Sequence, residues 1–202
     1  MRLGILGGTF DPIHIGHLMM AEEARVCLKL DRILCMPTGQ PWMRQGTNVS
    51  PAEHRAEMVR RATRSNPDIE LSLMEVERPG DTYTIDTLRA IHEQSPEAEL
   101  YFILGLDSLT QFHRWKEPNE LLKLCTVAVQ ARPGYPEYAL AEAEAGVPGL
   151  REALVWLAAP TVGVSSTEIR KRVALSQSIR YMVLPEVEEY IHKEGLYGGS
   201  AE

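Results

Sequence analysis

"GILGGTFDPIHIGHLMMAEEA", residues 4–24, decides the fold. It opens on a short apolar run, turns at Gly7 and Gly8, and enters a segment where Leu18, Ala21, Ala24 and Leu28 recur at helical spacing. That is a buried strand feeding a helix. "RILCMP" (32–37), a second apolar run stopped by Pro37, completes a strand–helix–strand unit. Such a unit implies a parallel pair joined by a right-handed crossover.

The alternation runs on along the chain. "SPAEHRAEMVRRATRS" (50–65) predicts a helix with Ser50 as N-cap, Pro51 at the first helical position and Glu53 closing a capping box. "DIELSL" (68–73) predicts a strand, "TYTIDTLRAIHEQ" (82–94) a helix and "ELYFILG" (99–105) a strongly apolar strand. "CTVAVQAR" (125–132) is another strand, ended by Pro133-Gly134. Residues 137–153 are Ala/Glu-rich and helical in character, broken by Gly146, Pro148 and Gly149. "ALVWLAA" (153–159) is the last strand, and "SSTEIRKRVA" (165–174) and "PEVEEYIHKEG" (185–195) are closing helices. The sum is an α/β protein with a doubly wound parallel sheet. It is expected as one domain over 1–202, its C-terminal helical part covering about 165–202. "PTGQPWMRQGTNVSP" (37–51) is the longest irregular stretch, and long loops at the carboxyl ends of parallel strands are often functional.

Composition narrows the function. The chain has 202 residues, 44% hydrophobic and 24% charged, with a net charge of −7. That balance argues against a nucleic-acid partner and against an anionic membrane surface. Residues 165–182 nevertheless carry net +3 while residues 183–202 carry net −4, so a local basic pocket for a small anion is available. Cys27, Cys35 and Cys125 form no CxxC pair and are expected as small buried hydrophobes in a reducing compartment. No apolar run approaches bilayer length, and the N-terminus goes straight into a strand without a signal peptide. A cytoplasmic protein is the expectation. The oligomeric state stays open, a homo-oligomer included.

Two stretches carry chemistry. In an α/β sheet, ligands bind at the carboxyl ends of the strands, where "GGTFDPIHIGH" sits. Its glycines let backbone amides approach a phosphate, the following helix supplies the positive end of its dipole, and His14 and His17 share one side of the first turn. Neither GxGxxG nor GxxxxGK[ST] is present, and HxxH alone does not make a zinc site. The plain alternative is a strand-to-helix turn with two capping or surface histidines. In "SSTEIRKR" (165–172), Ser165, Ser166, Thr167 and Arg170 offer hydroxyls, a helix N-terminus and a guanidinium to a polyphosphate. Ser165 and Glu168 fit a capping box equally well. Arg60, Arg61 and Arg64 read as a solvated helix face, and His54, His92 and His192 as surface or packing residues.

"HIGH" together with "SSTEIR" resembles the nucleotidyltransferase superfamily, a relative of class I aminoacyl-tRNA synthetases. The match runs on through "EHR" (53–55), Trp115 and "YIHKEGLY", and "TYTIDTL" (82–88), "GLDSL" (105–109) and "RPGY" (132–135) together narrow the resemblance to the bacterial nicotinate-mononucleotide adenylyltransferase family. The resemblance implies a Rossmann-like nucleotidyltransferase fold with C-terminal helices. It implies ATP and nicotinate mononucleotide as substrates, with deamido-NAD and pyrophosphate as products, by direct attack without a covalent enzyme intermediate. His14, His17 and Arg170 are then the catalytic set. Gly7, Gly8, Thr9, Phe10, Gly105, Asp107, Ser165, Ser166 and Thr167 join them around ATP. Asp11, Thr38, Arg44, Thr84, Trp115 and Arg132 are assigned to the mononucleotide, with Trp115 stacked on the pyridine ring, Thr84 and nearby amides at the carboxylate, and Arg44 and Arg132 at the phosphate. Asp11 either orders the turn or faces the acceptor. Mg²⁺ is expected through the ATP phosphates, with few or no protein ligands. Where the family often has a histidine before the loop's basic residue, this chain has Met43, with Trp42 beside it. Alternatives are an adenylyltransferase for nicotinamide mononucleotide or phosphopantetheine, and a nucleotide-binding protein without catalysis.

Overall fold

In a computed structural model, residues 1–44, 48–130, 137–158, 160 and 162–198 are described. The opening unit forms as read: β1 (Arg2–Gly8), α1 (Ile15–Cys27) and β2 (Arg32–Pro37), with β1 and β2 parallel and Gly8 opposite Pro37. There follow β3 (Gln40–Pro41), α2 (Ala52–Thr63), β4 (Ile69–Leu71), β5 (Asp81–Thr82), α3 (Thr84–Gln94) and β6 (Glu99–Gly105). The chain continues through α4 (Leu106–Leu109), α5 (Pro118–Leu124), β7 (Thr126–Gln130), α6 (Glu137–Gly146), β8 (Leu154–Leu157), α7 (Ser166–Ala174) and α8 (Pro185–Lys193).

The main sheet runs β4-β2-β1-β6-β7-β8, every neighbouring pair parallel. Counted in chain order, its six strands stand 3-2-1-4-5-6, the Rossmann order. The order reverses between β1 and β6, so the crevice at their carboxyl ends is where this architecture receives a ligand.

Both sheet faces are covered, which is why the strands read as unbroken apolar runs. Alternation sends Leu3, Ile5, Phe102 and Leu104 to a core shared with Ile85, Leu88 and Leu121. Leu6, Tyr101 and Ile103 go to the opposite core with Ala21, Ala24, Met58 and Val59. Each fully buried side chain of this kind contributes about 1.5–3 kcal/mol. Ile169, Val187 and Ile191 of α7 and α8 bury in that second core, and α8 lies against α2.

Three expectations need correction. Ser50 caps nothing: Pro51 holds the N-cap position of α2 without a side-chain cap bond. Ser50 is drawn elsewhere, its N–H donating to Asp11 Oδ2 (3.2 Å) and its carbonyl accepting from Arg55 Nε (2.8 Å). Cys27 is exposed on the last turn of α1, while Cys35 and Cys125 are buried, and burial pushes both of those thiols up to about 12. The irregular 37–51 stretch also contains order: β3 pairs with β5, and Trp42–Arg44 form a 3₁₀ turn. Gly39 is required there, since a Cβ would lie 2.2 Å from the Glu75 carbonyl oxygen. No helix among the described residues is long and apolar enough to cross a membrane.

Candidate active site

The carboxyl ends of β1 and β6 open into a cleft of about 620 Å³. One end is built by the turn after β1 and the N-terminus of α7. Gly7, Gly8, Thr9, Phe10, His14 and His17 line it from the first, and Ser165, Ser166, Thr167 and Arg170 from the second. A Cβ on Gly8 would lie 3.0 Å from the Phe10 ring, so glycine lets the turn fold Phe10 back into the core.

The two sequence stretches, some 150 residues apart, are tied by hydrogen bonds. Ser166 Oγ donates to the Pro12 carbonyl (2.8 Å), and Arg170 Nη1 donates to the Asp11 carbonyl (2.7 Å). Ser165 also caps α7 by accepting from the Glu168 N–H (3.2 Å), so the expected cap forms in the same helix start that lines the cleft.

His17 has a defined protonation. Its Nδ1 accepts the backbone N–H of His14 (3.2 Å), which leaves the ring proton on Nε2. Burial, and then the neighbouring His14, hold its pKa well below the usual imidazole value. The two rings stack at 3.7 Å between centroids, where two charged imidazoles would repel. His17 is therefore a neutral N–H donor at pH 7. Phe10 fixes the same ring edge-on at 5.0 Å.

Gly105 and Asp107 line the cleft where β6 meets α4. The far end is aromatic. Trp42, Tyr83 and Trp115 line it, with Trp42 and Tyr83 centroids 5.9 Å apart. Trp115 is half-buried and packs on Phe102 and Phe112 at 5.6 and 5.1 Å. Thr84 lines the cleft as the first residue of α3, presenting that helix's free N-terminal amides. Thr38 closes the wall, its N–H donating to the Gly8 carbonyl (2.9 Å).

Asp11 is not part of the cleft wall. It is 3% exposed, its Oδ2 accepts from Ser50 N–H and its Oδ1 from the Tyr197 hydroxyl (2.7 Å). Its carboxylate is bonded to the end of the 37–51 loop and to the C-terminal segment. The side chain of Arg44 and all of Arg132 lie outside the described residues.

Three residues were given no role from the sequence, Arg55 figuring there only within "EHR". Arg55, in α2, is 1% exposed and donates to the carbonyls of Ser50 (2.8 Å), Thr9 (2.9 Å), Thr38 (2.6 Å) and Gly39 (2.9 Å). Burial lowers its pKa, and the Asp11 carboxylate opposes that shift. Glu75 lines the cleft at 7% exposure; burial raises its pKa, although Thr87 Oγ1 donates to it at 2.8 Å. Lys116 adds a second cleft cation beside Arg170 among the described residues, held 3.0 Å from Asp86 Oδ2 and 4.6 Å from the Tyr83 ring centroid. Among the described residues no group of three or more His, Cys, Asp or Glu could hold a metal ion.

A 3-2-1-4-5-6 sheet whose first turn and the start of α7 close on one cleft is a Rossmann-like nucleotide-binding architecture. The chain belongs to the cytidylyltransferase-like family, whose model matches residues 5–172. Within it, the chain groups with the nicotinate-nucleotide adenylyltransferases. A "probable nicotinate-nucleotide adenylyltransferase" of Corynebacterium kroppenstedtii is 44% identical over 97% of this chain and 90% of its own length. One of Roseiflexus sp. is 46% identical over 96% and 97%. The fold is also that of a Plasmodium falciparum nicotinic acid mononucleotide adenylyltransferase solved with NaAD, at TM-score 0.78, 23% identity and 97% coverage of both chains.

Proposed function

We infer that the protein transfers the adenylyl group of ATP to the phosphate of nicotinate mononucleotide, giving deamido-NAD and pyrophosphate. The observation that carries this is the joining of the turn bearing His14 and His17 to the α7 N-terminus bearing Ser166 and Arg170, through the bonds to Pro12 and Asp11. That junction sets helix N-termini, hydroxyls, a guanidinium and a neutral imidazole N–H around one space suited to a triphosphate.

The chemistry asks for alignment and charge stabilisation. A phosphate oxygen of the acceptor attacks the α-phosphorus of ATP. The bond from that phosphorus to the oxygen bridging to the β-phosphate breaks, and pyrophosphate leaves with the electron pair. His17 Nε2–H and Arg170 supply donors for the developing charge without a proton having to leave the protein. No side-chain nucleophile is used, and neither buried thiol can serve as one. Magnesium would come with ATP as part of the substrate and would supply charge neutralisation on its phosphates, with His17 and Arg170 adding their donors.

At the far end, Trp115 offers a ring face to the pyridinium, which carries a positive charge in the mononucleotide. The α3 N-terminus at Thr84 suits the nicotinate carboxylate. An amide at that position forgoes the attraction to the helix dipole, so the acid is the favoured acceptor. Arg44 and Arg132 are assigned to the acceptor phosphate. Purified protein given ATP, Mg²⁺ and nicotinate mononucleotide will release pyrophosphate and form the dinucleotide; no release across a range of pH and metal concentration overturns the reading.

A further inference from the structure

Asp11 is the joint between the two halves of the phosphate end, yet its side chain touches no ligand space. Its carbonyl takes a hydrogen bond from Arg170 Nη1 (2.7 Å). Its carboxylate is gripped from two directions: Ser50 N–H holds Oδ2, and the Tyr197 hydroxyl holds Oδ1 at 2.7 Å. Ser50 ends the irregular loop after β2, whereas Tyr197 lies beyond α8, 186 residues from Asp11 in sequence. Two donors on a planar carboxylate fix its plane, and through the short side chain they fix the peptide that Arg170 reads.

We propose that Tyr197 is a positioning residue, its hydroxyl setting the direction of the Arg170 guanidinium through Asp11. The inference rests on the adenylyltransferase reading, because Arg170 is the group it acts on. Tyr197 does not line the cleft, and the hydrogen bond from its hydroxyl to Asp11 Oδ1 is its link to the residue that Arg170 touches. Its hydroxyl also sits 3.9 Å from Met58 Sδ, which holds it inside the core edge. Burial, followed by the Asp11 carboxylate, pushes the phenol pKa up, so the group keeps its proton and remains a donor. Arg55, which donates to the Ser50 carbonyl (2.8 Å), places a positive charge near the Asp11 carboxylate. A purely structural tyrosine would anchor the C-terminal segment; a positioning tyrosine must also be felt at the triphosphate.

The test is a double-mutant cycle on the full-length protein, measured at 15 °C so that any loss of melting temperature is immaterial. Tyr197→Phe keeps the ring and removes the donor. It is expected to lower kcat/KM for ATP by about tenfold, the scale of one hydrogen bond to a charged group, with KM for the mononucleotide unchanged. Arg170→Lys removes the planar fork that Asp11 aims. Adding Tyr197→Phe to Arg170→Lys should then change kcat/KM by less than about twofold. Tyr197→Phe kinetics within about twofold of wild type, or the same tenfold loss in both backgrounds, overturns the proposal. If Tyr197→Phe gives no soluble protein, Asp11→Asn weakens the same acceptor and is held to the same non-additivity with Arg170→Lys. ATP affinity by calorimetry is followed in parallel. Wild-type protein that binds ATP but forms no dinucleotide defeats the parent reading, whereas active wild type with an additive cycle defeats only the role of Tyr197.

Discussion

Replacing Arg55 by methionine tests the account of how the site is held. Arg55 reaches four main-chain carbonyls, those of Thr9, Thr38, Gly39 and Ser50, at 2.6 to 2.9 Å, from a position 1% exposed. Methionine has comparable length and fills much of the volume, but it leaves these acceptors without a donor and removes a positive charge near Asp11. An orphaned buried acceptor costs about 1–3 kcal/mol, which over four gives roughly 4–12 kcal/mol before relaxation. Relief of the guanidinium's own desolvation, several kcal/mol for a buried ion, pulls the total to the lower end of that range. We therefore expect a loss of about 3–5 kcal/mol. In a chain of 202 residues, each kcal/mol moves Tm by about 2–4 °C, so the fall is about 6–20 °C. Arg55→Lys, which keeps charge but loses the fork, should fall between the two proteins. Thermal and urea denaturation at pH 7 read both variants. A Tm for Arg55→Met within about 2 °C of wild type refutes the reasoning, because it means the four carbonyls find other donors at no cost.

Two further outcomes follow from the same geometry. His17→Ala should fold normally and lose about 10²–10³ in kcat, the scale of one transition-state donor; near wild-type turnover removes its assigned part. Glu75→Gln addresses stability. A carboxyl whose folded pKa is raised contributes stability that is present below its unfolded value and lost as pH rises through the folded value. The amide carries no charge to desolvate and still accepts from Thr87, so the variant should match wild type near pH 4 and exceed it in Tm at pH 8. A variant that loses ground to wild type between pH 4 and pH 8 contradicts the burial penalty.

The sheet was legible because parallel strands buried on both faces must be apolar throughout, as "RILCMP" and "ELYFILG" are. The pairing of β3 with β5 was not, because two residues carry no periodicity and the contact depends on Gly39 passing close to Glu75. Local rules also lost to distant partners. Ser50 had the right sequence for a capping box, yet its backbone is held by Asp11 and Arg55, and Pro51 became the cap. In the site, the glycines, His14, His17 and the "SSTEIR" cluster were visible because each answers a phosphate by residue type. Asp11 was ambiguous, since its partner Tyr197 lies at the other end of the chain. Arg55 had a readable sign. It falls on the helix face of Met58, Val59 and Ala62, all buried, and a cation on an apolar face needs buried partners. Glu75, set between Met74 and Val76 just ahead of Glu77 and Arg78, had no such sign.

The acceptor preference tests the central claim most directly. With ATP and Mg²⁺ saturating, kcat/KM is measured side by side for nicotinate mononucleotide and nicotinamide mononucleotide, the dinucleotide product being identified by mass. The α3 N-terminus at Thr84, facing the aromatic end of the cleft, predicts at least a tenfold preference for the acid, about the 1.4 kcal/mol a partly buried helix terminus gives a charge. Equal values for the two, or a preference for the amide, contradicts the account.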